Sequence, residues 1–122
     1  MILNLISGPR NISTALMYSF AQRTDTMVVD EPFYAFYLSR SGIHHPGKEE
    51  VIKSQPISEH EVSDALFSIT NKPVVFVKNM AHHLALMDQS FLEKVTNIFL
   101  IRSPKQIISS YAQVIEAPTL WD

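Results

Sequence analysis

The stretch "LISGPRNISTALMYSF", from Leu5 to Phe20, decides how the rest of the chain is read. It opens inside an apolar run that begins at Met1 and stops at Ser7, Gly8 and Pro9, as a buried strand does on entering a tight turn. From Ser13 to Gln22 the apolar spacing changes: Ile12, Leu16, Met17 and Phe20 fall on one face of a helix. A glycine turn between a buried strand and a helix exposes backbone N–H groups at the positive end of the helix dipole, which makes an anion site. Ser13 and Thr14 add hydroxyl donors there, and Arg10 adds a planar cationic fork suited to phosphate. Any α/β chain also needs a glycine turn and a helix start after its first strand, so the turn alone admits a purely structural reading.

Working outward, "TMVVD" (Thr26 to Asp30) reads as a second buried strand, closed by Glu31 and Pro32. Phe33 to Arg40 reads as a helix, although its aromatic residues suit a strand as well. Gly42 to Pro56 holds two prolines and two glycines and is expected to be the loosest part. Ser58 with Glu61 forms a capping box for a helix reaching about Thr70. "PVVFVK" (Pro73 to Lys78) is a third strand, β-branched and apolar enough for a sheet covered on both faces. Met80 to Met87 is expected as one short helix, and "VTNIFLI" (Val95 to Ile101) as a fourth strand. Ser103 as N-cap and Pro104 at the first helical position start a last helix reaching about Ile115. Strands and helices in regular alternation predict a three-layer α/β fold with a parallel sheet and right-handed crossovers, as one domain over residues 1–122.

Composition narrows the function. A chain of 122 residues, 46% hydrophobic, buries one core. A net charge of −2, from interleaved acids and bases, gives no reason to expect nucleic acid or an anionic membrane as partner, so an anionic ligand has to be held locally. Cysteine is absent, which excludes disulfides and thiolate metal sites. Met1 to Ile6 has no basic flank and is too short for a signal peptide or a span, so a soluble, cytoplasmic protein is expected. The adjacent histidine pairs, His44 with His45 and His82 with His83, diverge on a helix, and no metal is expected.

A second pattern lies in "FLIRSPKQIISSY". Arg102 stands at the carboxyl end of the fourth strand, where open α/β sheets bind ligands, and Ser110 follows in the next helix. The nucleoside triphosphatase pattern G-x-x-x-x-G-K-[ST] is missing, because no second glycine and no lysine follow Gly8 within the loop. With both stretches in view, the chain resembles the sulfotransferases that use 3'-phosphoadenosine 5'-phosphosulfate (PAPS). Their first loop reads roughly P-[KR]-S-G-[ST]-T, matched by Pro9-Arg10-Asn11-Ile12-Ser13-Thr14 with Asn11 for serine and Ile12 for glycine. Their second motif, R-x-P-x-x-x-x-x-S, is complete as Arg102, Pro104 and Ser110.

The resemblance implies a P-loop-type sheet and PAPS as sulfuryl donor. Its 5'-phosphosulfate end would be held at Gly8, Arg10, Asn11, Ser13 and Thr14, and its 3'-phosphate by Arg102 and Ser110. Sulfuryl transfer also needs a base for the acceptor's proton. Glu31, which follows the second strand, is the first candidate, and His82, which follows the third, is the second. The acceptor is expected to be a small molecule of unknown identity. Two other readings stand beside this one: a P-loop hydrolase or kinase with "TMVVDE" organising magnesium, and a non-catalytic binding or assembly module. A family domain continues past the Arg102 helix to a late Arg-Lys-Gly segment. The chain is therefore expected to be truncated at its carboxyl end and to form a homodimer through Val114, Ile115, Leu120 and Trp121.

Overall fold

The computed structural model describes residues 1–114; the expectations that fall on Ile115, Leu120 and Trp121 lie outside the described residues. Strands β1 (Ile2–Ser7), β2 (Thr26–Asp30), β3 (Val74–Met80) and β4 (Thr96–Leu100) form a parallel sheet in the order β2-β3-β1-β4. Helix α1 (Ser13–Ala21) joins β1 to β2, and α2 (Tyr34–Ser41), α3 (Lys48–Ser54) and α4 (Glu59–Phe67) lie between β2 and β3. The short helices α5 (Ala81–Leu84) and α6 (Ser90–Glu93) precede β4, and α7 (Pro104–Tyr111) follows it.

Period-two alternation sorts the core into two layers. On one face Leu5 and Phe76 meet Met17 of α1, with Leu3, Val28, Phe20 and Leu100 around them. Phe20 stacks on Phe76 at 4.1 Å between ring centroids. On the other face Ile6, Val75 and Val77 meet Phe33, Phe36, Val62, Leu66 and Phe91, so the helices after β2 and β3 share that side. The result is the α/β, parallel, three-layer arrangement that the alternation of elements predicts. Strand β3, buried from Val75 to Asn79, is covered on both faces as its composition requires.

Several local expectations change. The stretch from Met80 to Met87 is helical only from Ala81 to Leu84, and α6 forms downstream without a marked signal in the sequence. The stretch from Gly42 to Pro56 is exposed as expected yet carries α3, which begins after Gly47 and has Glu49 and Glu50 in its first turn, where they favour the helix dipole. Gly42 ends α2 in the left-handed region (φ 66°), a conformation glycine adopts without a Cβ clash. The Ser58 cap forms: its Oγ accepts from the Glu61 N–H at 3.5 Å. Ser103 occupies the N-cap position of α7 with Pro104 next, but its side chain makes no capping bond. That helix ends at Tyr111, short of Ile115.

Candidate functional site

Because the sheet is parallel, Ser7, Asp30, Met80 and Leu100 end on one edge, and the connections that follow them form one surface. The turn after β1 is held there from two directions. Asn11 donates its amide to the Leu100 carbonyl at 3.1 Å, and Arg102 donates to the Arg10 carbonyl at 2.6 Å. Arg10 takes a positive φ of 57°, costly for a residue with a Cβ, and the bond from Arg102 secures it. Its own guanidinium Nε donates to the Ser110 hydroxyl at 3.0 Å. Residues about a hundred positions apart thus meet at one point: Arg10, Arg102 and Ser110 adjoin a groove of about 290 Å³ lined by Arg102, Lys105, Ser109 and Ser110.

The first turn of α1 holds no acidic residue and makes no side-chain capping bond, so the N–H groups at its start are not claimed by a carboxylate. Ser13 is buried and Thr14 exposed at that start. Ile12, where the resembling loop has glycine, is 71% exposed, so its side chain leaves the turn toward solvent. The buried oxygens Ser7 Oγ and Asn11 Oδ1 have no hydrogen-bond partner. Gly8 has ordinary space around it: an added Cβ would meet Asn11 Nδ2 at 3.9 Å. Two guanidinium groups, the hydroxyls of Ser7, Ser13, Thr14 and Ser110 and a bare helix start form a donor set that fits an anionic phosphate or sulfonate group.

Beside the turn lies an arrangement that sequence reading passed over. Lys78, on β3, is almost completely buried, and its ammonium lies 2.9 Å from Asp30 and 2.6 Å from Glu31. Burial opposes the charge, but the hydrogen bonds and charges of the two carboxylates outweigh it and raise the lysine's pKa. Glu31 extends the ladder by donating its N–H to the Lys78 carbonyl at 2.8 Å, and its φ of 46° lies in the left-handed region. No local signal in the sequence gave it away, because Asp30 comes to lie across from Lys78 only in the register that β2 and β3 take in the sheet.

A cleft of about 660 Å³ opens between α2, α5 and the β1 turn, and Glu31, Tyr34, Tyr37, His45, His82 and His83 are among the residues that line it. Tyr34 stacks on His83 at 4.9 Å, and Tyr37 lies 4.9 Å from His83 and 5.0 Å from His82. His83 is 2% exposed, and burial, with help from His82 and Lys78, lowers its pKa to about 3. Desolvation lowers that of His82 also, against the opposing pull of Glu31. Both rings are therefore neutral at neutral pH. Burial, followed by the charge of Glu31, raises the pKa of Tyr34. Pro9 and Tyr111 also border this cleft, and their chain neighbours Arg10 and Ser110 are hydrogen-bonded to each other. The β1 turn and α7 therefore stand between the aromatic cleft and the basic groove. Among the described residues, no group of three or more His, Asp or Glu is placed to hold a metal ion, and no helix is long and apolar enough to cross a membrane.

Two curated relatives from Arabidopsis thaliana, branched-chain-amino-acid aminotransferase-like proteins 1 and 2, are 36% and 34% identical to the chain over 115 residues, or 93% of its length. The chain spans only 21% of either relative, so their aminotransferase-like names describe proteins that lie mostly outside the match. No solved structure matches. The family model described as a sulfotransferase domain matches residues 1–117, the stretch that carries both the β1 turn and the Arg102–Ser110 pair, and the chain belongs to that family.

Proposed function

We propose that the chain binds PAPS at the carboxyl edge of its sheet and transfers the sulfuryl group to an acceptor held in the aromatic cleft. The observation that carries this reading is the convergence of Arg10, Arg102 and Ser110 at 2.6–3.0 Å from segments at opposite ends of the sequence. Arg102 and Ser110 would hold the 3'-phosphate in the basic groove. Gly8, Arg10, Asn11, Ser13 and Thr14, with the start of α1, would hold the 5' end. PAPS supplies an activated sulfuryl group on a phosphate leaving group.

The chain's own residues then have three tasks. The cleft orients the acceptor's hydroxyl toward the turn. A base takes its proton as the acceptor oxygen bonds to sulfur and the sulfur–phosphate oxygen bond breaks. Cations meet the charge that develops on the leaving phosphate. Arg10 and Lys78 are the cations nearest the turn and the Glu31 side of the cleft. Of the two candidate bases, Glu31 is already engaged by the Lys78 ammonium at 2.6 Å. His82 borders the same cleft and is neutral at neutral pH. We assign proton removal to His82, and to Glu31 the holding of Lys78. The hydrolase or kinase reading draws less support, because Asp30, the carboxylate that would organise magnesium, is bonded to Lys78.

Calorimetry with adenosine 3',5'-bisphosphate, AMP and ATP with magnesium tests the assignment. The bisphosphate should bind tightest, and Arg102→Ala should erase its advantage over AMP, a loss of about 1.5–3 kcal/mol for charge-assisted bonds. Equal binding of bisphosphate and AMP by the unaltered chain would reject the reading.

A further inference from the structure

One edge of the sheet is β2, which pairs with β3 on one side and, among the described residues, with no strand on the other. Its hydrogen bonds fix which way its backbone faces. Val74 donates its N–H to the Asp25 carbonyl at 3.1 Å, and Glu31 donates to the Lys78 carbonyl at 2.8 Å. Backbone groups in a parallel ladder turn to alternate sides at successive residues, so Met27 and Val29 serve β3 as Asp25 and Glu31 do, and Val28 turns its N–H and C=O outward. Such edges are usually blunted by lysine, proline or a bulge, yet "TMVVD" holds neither residue and pairs with β3 in unbroken register. Its threonine and valines suit further pairing.

A groove of about 360 Å³ runs beside that edge, between β2 and α4. Met27 and Val29 line it from the strand, Val62 and Leu66 from the helix, and Ile69 from just beyond the helix. Side chains alternate along a strand, so Asp30 points to the opposite face, where its half-exposed carboxylate bonds Lys78. Asp30 and Glu31 against that single ammonium leave one negative charge in excess at the carboxyl end of the strand. The edge thus offers open backbone groups, an apolar groove on one face and surplus carboxylate on the other. An extended peptide answers all three, because its backbone continues the ladder while its side chains alternate between the faces. A second copy offering β2 or β4 does not, since "TMVVD" and "TNIFL" hold no lysine or arginine. We infer that the β2 edge docks an extended peptide segment of a partner, which adds one strand beside β2. Its apolar side chains fill the groove at alternate positions, and a lysine or arginine on its other face meets Asp30.

The test is calorimetry with NMR-monitored hydrogen exchange on the unaltered chain. The probe is acetyl-Val-Lys-Val-Thr-Val-Lys-Val-amide, whose valines share one face and whose lysines, one near each end, serve either strand direction. Replacing both lysines by glutamate should weaken binding about three- to tenfold. Two further peptides carry N-methyl groups, one on the valine amides and the other on the lysine and threonine amides. The set that faces β2 should lose about tenfold or more in affinity, and the set that faces away should bind as the probe does. The Val28 amide should exchange about tenfold more slowly with the probe bound. Val28→Pro, which removes the outward N–H without touching a bond to β3, should abolish probe binding. The inference falls if the probe does not bind, if Val28 exchanges equally fast with and without it, or if both N-methylated peptides bind as well as the probe, which would leave the groove to a small apolar molecule. Protection of Val28 that rises with chain concentration in the absence of peptide would give the edge to a second copy and overturn it as well. The peptide series decides the matter even if Val28→Pro does not fold, and no nucleotide enters any arm, so the result stands apart from the sulfuryl-transfer reading.

Discussion

Two neighbouring histidines occupy opposite environments, and pH separates their roles. His82 is exposed at the cleft and neutral at neutral pH, so in the proposed reaction it serves as a base. His82→Gln should lower turnover about 10²–10⁴-fold with bisphosphate affinity unchanged, as read by steady-state kinetics beside calorimetry. The unaltered chain should keep its activity as pH falls to 6.5 and lose it only below, because the ring's pKa lies under the ordinary value. His83 is buried and acts on stability instead. Its pKa is about 3 in the fold against 6.5 when free, so between those values the unfolded chain binds a proton that the folded chain refuses. Stability should therefore fall as pH drops from 6.5 toward 3, with a slope of up to about 1.4 kcal/mol per pH unit from this one group. Urea unfolding across that range checks it, and His83→Phe should flatten the dependence. The sequence showed the pair but not its division of labour, because which ring is buried depends on how α5 lies against Tyr34 and Tyr37 of α2.

At the scale of elements, the sheet contains a polar ladder that pattern reading could not anticipate. Asn79 donates to Asn4 at 2.8 Å, Asn4 donates to Asn97 at 2.9 Å, and Asn97 donates to the Leu92 carbonyl at 2.7 Å. The ladder crosses β3, β1 and β4 on one face, with Asn4 opposite Asn97 in register. Asn4 breaks the apolar run of β1 at a fully buried position, and together the three asparagines bind β1 to both neighbours. Asn4→Ala would strand an amide of Asn79 and an oxygen of Asn97, a loss of about 2–4 kcal/mol, measurable by urea unfolding. A result within a few tenths of a kilocalorie would show that water replaces the bonds. The positions of most elements were legible and their ends less so: "TMVVD" is β2 to the residue and the Ser58 cap sets the start of α4, but α4 stops at Phe67 rather than about Thr70, and β3 runs past Lys78 to Met80. The weak points were α5 and α6, single turns too short for a helical period to show.

For the whole molecule, the sheet is unevenly covered. Strand β4 lies at one edge, Phe99 is 69% exposed and Ile101 88%, and α7 buries none of its residues. An edge strand with exposed apolar side chains favours association, which keeps the expected homodimer as a proposal, with Phe99 and Ile101 added to Val114 at the contact. Light scattering should show a mass that rises with concentration. Phe99→Lys, which sets a charge on that edge, should lower it. A monomer at every concentration would reject the proposal.

What the sequence determined by itself was local. Apolar runs closed by Ser7-Gly8-Pro9 and by Glu31-Pro32 marked strands, helical spacing marked α1, and Arg102, Pro104 and Ser110 carried the resemblance to the family's second motif. These signals depend on neighbours along the chain, where period and turn chemistry act. The tertiary structure alone decided which distant residues meet. It tied Arg10 to Ser110, buried Lys78 between Asp30 and Glu31, and set four rings from two helices around one cleft. The strand order β2-β3-β1-β4 is the cause: it places the third strand between the first two and sets the fourth beside the first, and no local preference in the chain encodes that crossing.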